Sequence, residues 1–447
     1  MIFTSPHPDI PIPKGKTVWN MLELHARERG DKPAFVCGIT DKVLTFAELL
    51  QKAKALSVGL VARGITKGDV VVLHSFNCIE YPVVSRLLRL IGHGALANMT
   101  VEAAYLKDLK PERVFVYGEE EGPATAESLE DLIAQDLPLK LPPMDPMDVV
   151  THAAFSSGTT GRPKGMELTG YAMLAASAQL AAVEDNLPYY IGVLPFYHIL
   201  AAILFHATIF KGLGLVDLPS FDLETFLGVV EKYRLEKLTL APPLVLFLAK
   251  HPIVDKFDLS SVKVLASGGA PMGKEVEHAE EKRIGARVLQ AYGMTEFAGG
   301  VANGTLDHSR AGSTGRLLPN VELKVKDLQT DEDLLANKTE ELLFRTPSMM
   351  KGYYNDSEAN RTAFTADDFT RTGDIGYIDE DGYMFIVDRL KELIKYKGHQ
   401  VVPAELEDVL NNHPSVTDSC CVRGFEAVTG EEIPKAFVVL AEGSKLT

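Results

Sequence analysis

Between Phe155 and Gly165 the chain reads FSSGTTGRPKG. Gly158, Gly161 and Gly165 allow the backbone to turn its N–H groups toward an anion, Ser156, Ser157, Thr159 and Thr160 add hydroxyl donors, and Lys164 adds charge. That combination suits a polyphosphate. The spacing is not that of a Walker A loop, because two residues rather than four separate Gly158 from Gly161 and Lys164 is followed by Gly165. On its glycines alone the segment is weak evidence, and a flexible strand-to-helix turn is the less favoured alternative.

Two more small-residue turns follow apolar runs: Ser267-Gly268-Gly269-Ala270-Pro271, and Gln290-Ala291-Tyr292-Gly293-Met294-Thr295-Glu296. Open α/β sheets bind ligands at the C-terminal edges of their strands, where the loops diverge. Glycines there let a planar base lie against the backbone, Tyr292 offers a ring to stack on it, and Thr295 and Glu296 offer oxygens to phosphate-bound Mg²⁺. A glutamate without a task would sit solvated on the surface. Asp374, in Arg371-Thr372-Gly373-Asp374, can accept the two hydroxyls of a ribose or merely close an Asx turn. His198, after Leu194-Pro195-Phe196-Tyr197, is by spacing alone as consistent with a satisfied structural histidine as with a site residue.

The elements that must hold these residues alternate. An amphipathic helix over Val18 to Arg29, a strand at Ala34 to Cys37, a helix capped by Thr45 and an apolar strand over Asp69 to His74 predict a mainly parallel sheet with helices on both faces. Helices at Tyr171–Val183 and Phe221–Tyr233 and from Pro242 to Lys250, with strands at Tyr190–Leu194, Lys237–Leu240 and Lys263–Ala266, continue the pattern. Beyond Gly312 short strands and turn residues predict a β-rich subdomain to residue 389. From 390 a small α+β domain is expected, with a helix at Pro403–Asn411 and strands at Thr417–Val422 and Ala436–Leu440. The fold class is thus α/β: a large N-terminal domain (1–389) and a small, mobile, incomplete C-terminal one (390–447).

At 447 residues the chain is too long for one core. Apolar residues at 46 % and charged ones at 24 % are ordinary for a globular protein, and a net charge of −16 argues against a nucleic-acid partner. Cys37, Cys78, Cys420 and Cys421 lack metal-ligand spacing and point to a reducing compartment. No signal peptide opens the chain, and Ile199 to Phe210 is too short to span a bilayer. The expectation is a cytoplasmic protein, monomer or weak dimer. A peroxisomal address is the alternative, since Ser444-Lys445-Leu446 resembles one, although Thr447 follows it.

The phosphate-loop string, the histidine motif ending at His198, SGGAP at 267–271, YGMTE at 292–296, RTGD at 371–374 and KELIKYKGHQ at 391–400 occur in one order. With PAELEDVL and EEIPKAFVVL they cover most of the chain. Together they resemble the adenylate-forming superfamily of acyl-CoA synthetases, luciferases and nonribosomal peptide adenylation domains, and within it the 4-coumarate–CoA ligase, luciferase and fatty acyl-CoA synthetase branch. The resemblance implies activation of a carboxylic acid with Mg·ATP to an acyl-adenylate, then transfer to CoA. It implies a β,γ-phosphate cradle from Ser156 to Lys164, a nucleotide site from Gly268 to Pro271 and Gln290 to Met294, and Thr295 with Glu296 and Mg²⁺ at the α-phosphate. Asp374 and Arg389 would hold the ribose, Lys395 and Gln400 would reach nucleotide and carboxylate, and Lys397-Gly398 would line the thiolation face, with Lys391 as the hinge. An acid pocket of His198, Leu200, Ile203, Val245, Gly268, Gly269 and Met294 follows. Leu200 and Ile203 stand where hydroxycinnamate-specific members carry a tyrosine and an asparagine, which predicts apolar fatty or aryl acids.

Two departures go with the resemblance. The family's further catalytic lysine lies in a proline-, serine- and glycine-containing loop late in the second domain, and none is reached by Thr447, so either a longer chain or impaired adenylation is expected. The stretches around 92–109 and just after Thr169 are also shorter than the family's. Other classes fit some features: a nucleotide- and acid-binding protein without full catalysis, a luciferase-like oxygenase, or a carrier-protein-loading enzyme. The last normally places an aspartate near Leu244 to Phe247 or Phe196 to Ala201, and this chain has no acidic residue in either window.

Overall fold

The computed structural model describes residues 1–66, 69, 73–84, 91–93, 115–117, 127–135, 137–138, 145–156, 164–184, 187–270, 272–396, 399–411, 413, 415–426, 431–441 and 443–444. The architecture is mixed α/β, as the alternation predicts. Strands Tyr189–Gly192, Gly214–Asp217 and Pro33–Cys37 run parallel, with Val43–Thr45 antiparallel at the edge. A second sheet sets Lys237–Leu240, Val264–Ser267 and Arg287–Met294 parallel, then adds Gly299–Asn303 and Arg316–Leu317 antiparallel. A four-stranded parallel sheet is built from Leu73–His74, Ile91–His93, Phe115–Tyr117 and Glu127–Ser128.

Local chemistry sets the helix starts. Thr45 caps Phe46–Ala62 in a reciprocal capping box with Glu48, Thr169 accepts the amide of Ala172 to open Gly170–Val183, and Asp222 does the same for Leu223–Tyr233. Their apolar faces close three cores. Phe35, Phe46, Phe196 and Phe205 centre the first, Leu238, Leu240, Leu265 and Val288 the second, and Phe297, Leu323 and Phe344 the third. All eleven are 5 % exposed or less, and core residues of this size each contribute about 1.5–3 kcal/mol on burial.

Three placements differ from the sequence reading. The phosphate loop joins two antiparallel strands, Val150–Ser156 and Lys164–Thr169, rather than a strand and a helix. The β-rich subdomain does not begin at 312: Arg316–Leu317 still belongs to the second sheet, and the subdomain sheet opens on Phe3–Thr4, which pairs with Glu322–Lys326 before Glu340–Arg345, Thr370–Ile378 and Met384–Arg389. Third, Tyr292-Gly293-Met294 is strand rather than turn. An apolar run ending in glycine reads as a strand end, but here Gly299–Asn303 returns antiparallel and extends the ladder, with a register shift between Tyr292 and Gly293.

After Arg389 come the hairpin Ile394–Tyr396 with His399–Val401, the helix Pro403–Asn411, and the long hairpin Val416–Phe425 with Glu432–Leu440. All four cysteines are free, and Cys420 alone is exposed. No helix among the described residues is long and apolar enough to cross a membrane.

Candidate active site

Six side chains from five separate parts of the sequence form two chains of contacts, three in each, joined through the backbone between Tyr292 and Glu296. Glu296 lies in a single 3₁₀ turn, Thr295–Phe297, directly after the strand Arg287–Met294, and is buried. Its Oε1 accepts the Tyr353 hydroxyl at 2.9 Å. The Lys164 ammonium, at the first residue of its strand, sits 4.9 Å from the centroid of the Tyr353 ring. On the other side the Tyr292 hydroxyl donates to Asp374 Oδ2 at 2.5 Å, and Arg389 Nε stands 3.6 Å from Asp374 Oδ1.

The electrostatics follow from burial. Burial pushes the Asp374 carboxyl up, while the Tyr292 hydrogen bond and the Arg389 charge pull it down. Burial and the neighbouring Asp374 carboxylate drive the Tyr292 hydroxyl well above its ordinary value, so it stays protonated and donates. Asp374 therefore does not close an Asx turn: the side chain takes a hydroxyl from Tyr292, and the turn is held instead by Thr372, whose Oγ1 accepts the Asp374 amide at 2.9 Å. The Tyr292 ring leans on Phe344, centroids 5.8 Å apart.

The backbone has been brought close where the glycines stand. A Cβ on Gly268 would lie 3.2 Å from the Ala291 carbonyl, so the two small-residue segments run side by side. Gly269, with φ of +87°, faces open space, and Ala270 beside it is exposed. A Cβ on Gly293 would fall 2.1 Å from the Gly299 carbonyl oxygen, a contact no side chain can make.

His198 is the N-cap of Ile199–Lys211. Its Nδ1 accepts the Leu200 amide at 3.3 Å, leaving Nε2 as the outward nitrogen, and partial desolvation holds the imidazole below its ordinary range, hence neutral at pH 7. Ile203, one turn on, is buried and would touch a Cβ on Gly299 at 3.0 Å, which ties the histidine helix to the strand that follows the Glu296 turn. Leu200 and Met294 are half-buried.

Two expected site residues take other places. Gln290 donates to Glu277 Oε1 at 2.5 Å and to the Met272 carbonyl at 3.1 Å, so its side chain braces the helix Lys274–Ile284 rather than a nucleotide. Polarity at a strand end does not distinguish the two uses. Val245 has no exposed surface and is packed in the second core, so it is a core residue and does not line a pocket. Its apolar helix pattern is as consistent with core as with pocket.

Ser157, Gly158, Thr159, Thr160, Gly161, Pro271, Lys397 and Gly398 lie outside the described residues, and Ser156, Lys395 and Gln400 are described in backbone only. Ser156 pairs with Lys164 across the hairpin, and Lys395 with Gln400 across the next. Lys391 is exposed at the turn after Arg389. Tyr353 carried no assignment: its segment TPSMMKGYYN shows no charge pattern that singles it out.

Comparison with known proteins gives the family and the fold of the chain. The model of the AMP-binding enzyme family matches residues 22–85 and 94–354. Over the whole of this chain, 4-coumarate–CoA ligase 2 of Oryza sativa subsp. japonica is 34 % identical and 4-coumarate–CoA ligase CCL1 of Humulus lupulus is 35 % identical, with 87 % and 88 % of those relatives covered. Among solved structures, ATP-bound MatB from Rhodopseudomonas palustris superposes with a TM-score of 0.84 at 26 % identity, over 97 % of this chain and 90 % of that one. The anthranilate CoA ligase AuaEII in complex with anthranoyl-AMP gives 0.85 at 21 % identity, over 96 % and 88 %, a likeness of fold.

Proposed function

The chain belongs to the AMP-binding enzyme family, and from that premise we propose that it joins an apolar carboxylic acid to CoA at the expense of ATP. The acid's carboxylate oxygen attacks the α-phosphorus and displaces pyrophosphate. The CoA sulfur then attacks the acyl carbonyl and releases AMP. The observation that carries this reading is the contact chain Lys164–Tyr353–Glu296 beside Tyr292–Asp374–Arg389, which sets a cation, a buried carboxylate and a ribose-sized acceptor around one strand end.

Catalysis by such a site is positioning and charge neutralisation. Lys164 and the 156–161 loop take the β,γ-phosphates, Asp374 and Arg389 the ribose, and the Gly268–Pro271 and Ala291–Met294 backbone the adenine. Glu296, with Thr295 beside it, fits Mg²⁺: a hard cation prefers a carboxylate oxygen, and one oxygen of Glu296 has no hydrogen-bond partner among the described residues. The metal, when bound, offsets phosphate charge. Neutral His198 presents Nε2 toward the acid, while Lys395 and Gln400 approach from the segment after Lys391, which we take as the hinge of a second domain beginning at 390.

The acid is read from Leu200 and Ile203. A buried phenol against them would leave a hydroxyl unpaired at about 1–3 kcal/mol, whereas each buried methylene contributes about 0.8 kcal/mol. Pyrophosphate release and acyl-CoA formation with hexanoate, octanoate, cinnamate and 4-coumarate test both statements. ATP-dependent turnover with kcat/KM highest for octanoate or cinnamate is expected. Absence of turnover with every acid refutes the ligase reading, and a 4-coumarate value above both refutes the pocket reading.

A further inference from the structure

The five residues Met350 to Tyr354 bond to two elements, the strand that begins at Lys164 and the turn that holds Glu296. The amides of Lys351 and Tyr354 donate to the carbonyls of Glu167 and Gly165, each at 2.8 Å, on the strand that begins at Lys164. The amide of Met350 donates to the carbonyl of Glu296 at 2.7 Å. Asn360 locks the segment from behind, accepting the Tyr353 amide at 2.6 Å and donating to the Tyr353 carbonyl at 2.9 Å. Tyr353 thus has little freedom in its main chain, and its side chain spans the gap between the two elements.

The two ends of that side chain do different things. The hydroxyl hydrogen-bonds Glu296 Oε1 at 2.9 Å, and the ring face carries the Lys164 ammonium at 4.9 Å. Glu296 is buried, so a partner that fixes its carboxylate also decides which oxygen remains for another ligand. The Lys164 ammonium contacts the ring face and forms no ion pair with Glu296 among the described residues. Lys164 thereby stays available to an incoming anion.

We propose that Tyr353 is a positioning residue for the metal and phosphate site: its hydroxyl holds Glu296 Oε1 so that Oε2 is left for the metal, and its ring parks Lys164 until phosphate takes it. This rests on the assignment of Glu296 to the metal. Loss of an outer partner of a metal-binding carboxylate costs about 10- to 100-fold in affinity. Tyr353→Phe removes the hydroxyl and keeps the ring, so the metal role is tested apart from the lysine role.

The experiment is binding, not turnover: Mn²⁺ titrated into the full chain with ATP, followed by the electron paramagnetic resonance of free Mn²⁺, for the wild type, Tyr353→Phe, Glu296→Gln and the double variant. The expected result is an affinity for Mn²⁺ about tenfold weaker in Tyr353→Phe, at least as much weaker in Glu296→Gln, and no weaker in the double variant than in Glu296→Gln. Affinity for ATP without metal should stay within about twofold in Tyr353→Phe, because the ring under Lys164 is kept. A wild-type Mn²⁺ affinity in Tyr353→Phe beside a weakened Glu296→Gln overturns the proposal and leaves the metal assignment standing. A wild-type affinity in Glu296→Gln overturns the metal assignment itself. Tyr353→Leu completes the series: it should weaken metal-free ATP beyond Tyr353→Phe, and equal values for the two overturn the lysine half.

Discussion

Glu280 lies in the helix Lys274–Ile284, which packs on Pro242–Lys250, and it has no exposed surface. Among the described residues neither carboxyl oxygen has a hydrogen-bond partner. Arg283, one turn along, favours the charged form, but its guanidinium is committed to the Leu248 and His251 carbonyls and to Asp255. Burial wins, and the carboxyl is raised from 4.5 to about 7. Folding therefore takes up a proton between those values. The stabilisation is fully present below pH 4.5 and is lost as the pH rises through about 7. Summed over that window the loss is about 3 kcal/mol, of which about 2–3 kcal/mol falls between pH 5 and pH 8.5. Glu280→Gln keeps the shape and a buried polar group but removes the proton equilibrium. Urea unfolding of both chains at the two pH values isolates the effect, since every other titrating group is common to both. The variant is expected to lose about 2–3 kcal/mol less than the wild type on going from pH 5 to pH 8.5. Equal losses in the two chains would falsify the claim that Glu280 is an uncompensated buried carboxyl.

Lys164→Ala should lower acyl-adenylate formation about 10²- to 10³-fold, the usual loss when one donor to developing charge is deleted. Its unfolding free energy should move by no more than about 1 kcal/mol, because the ammonium is half-buried and unbonded to core; pyrophosphate release at the wild-type rate would remove Lys164 from the phosphate site. Gly293→Ala puts a methyl 2.1 Å from the Gly299 carbonyl oxygen, and neither backbone can yield without parting the strands that carry Glu296. Overpacking of that kind costs about 1–3 kcal/mol, so a lowered urea midpoint with weakened Mn²⁺ binding is expected, and a chain with both unchanged contradicts the close approach seen here.

Which chemistry the chain performs is legible in its local strings, because the groups that face an anion, a base or a ribose are short-range combinations of glycine, hydroxyl and charge. FSSGTTGRPKG, YGMTE and RTGD each carry their meaning within a few residues, and Thr45, Thr169 and Asp222 mark helix starts through side chains that bond their own neighbours. Periodicity likewise gives the alternation of strand and helix. What local reading leaves open is every choice made by a distant partner. Tyr292-Gly293-Met294 is strand and not turn because Gly299–Asn303 comes back beside it, and Phe3–Thr4 joins a sheet whose next strand is more than 300 residues away. Gln290 and Val245 have the residue types of a site, yet Glu277 and the second core claim them. Tyr353 has the residue type of a core filler, yet long-range pairing of its segment with the Lys164 strand and the Glu296 turn places it between a cation and a carboxylate. A side chain's chemistry is fixed by its own atoms, whereas its role depends on which other atoms reach within about 3–5 Å of it, and that is decided by packing and pairing across the whole chain.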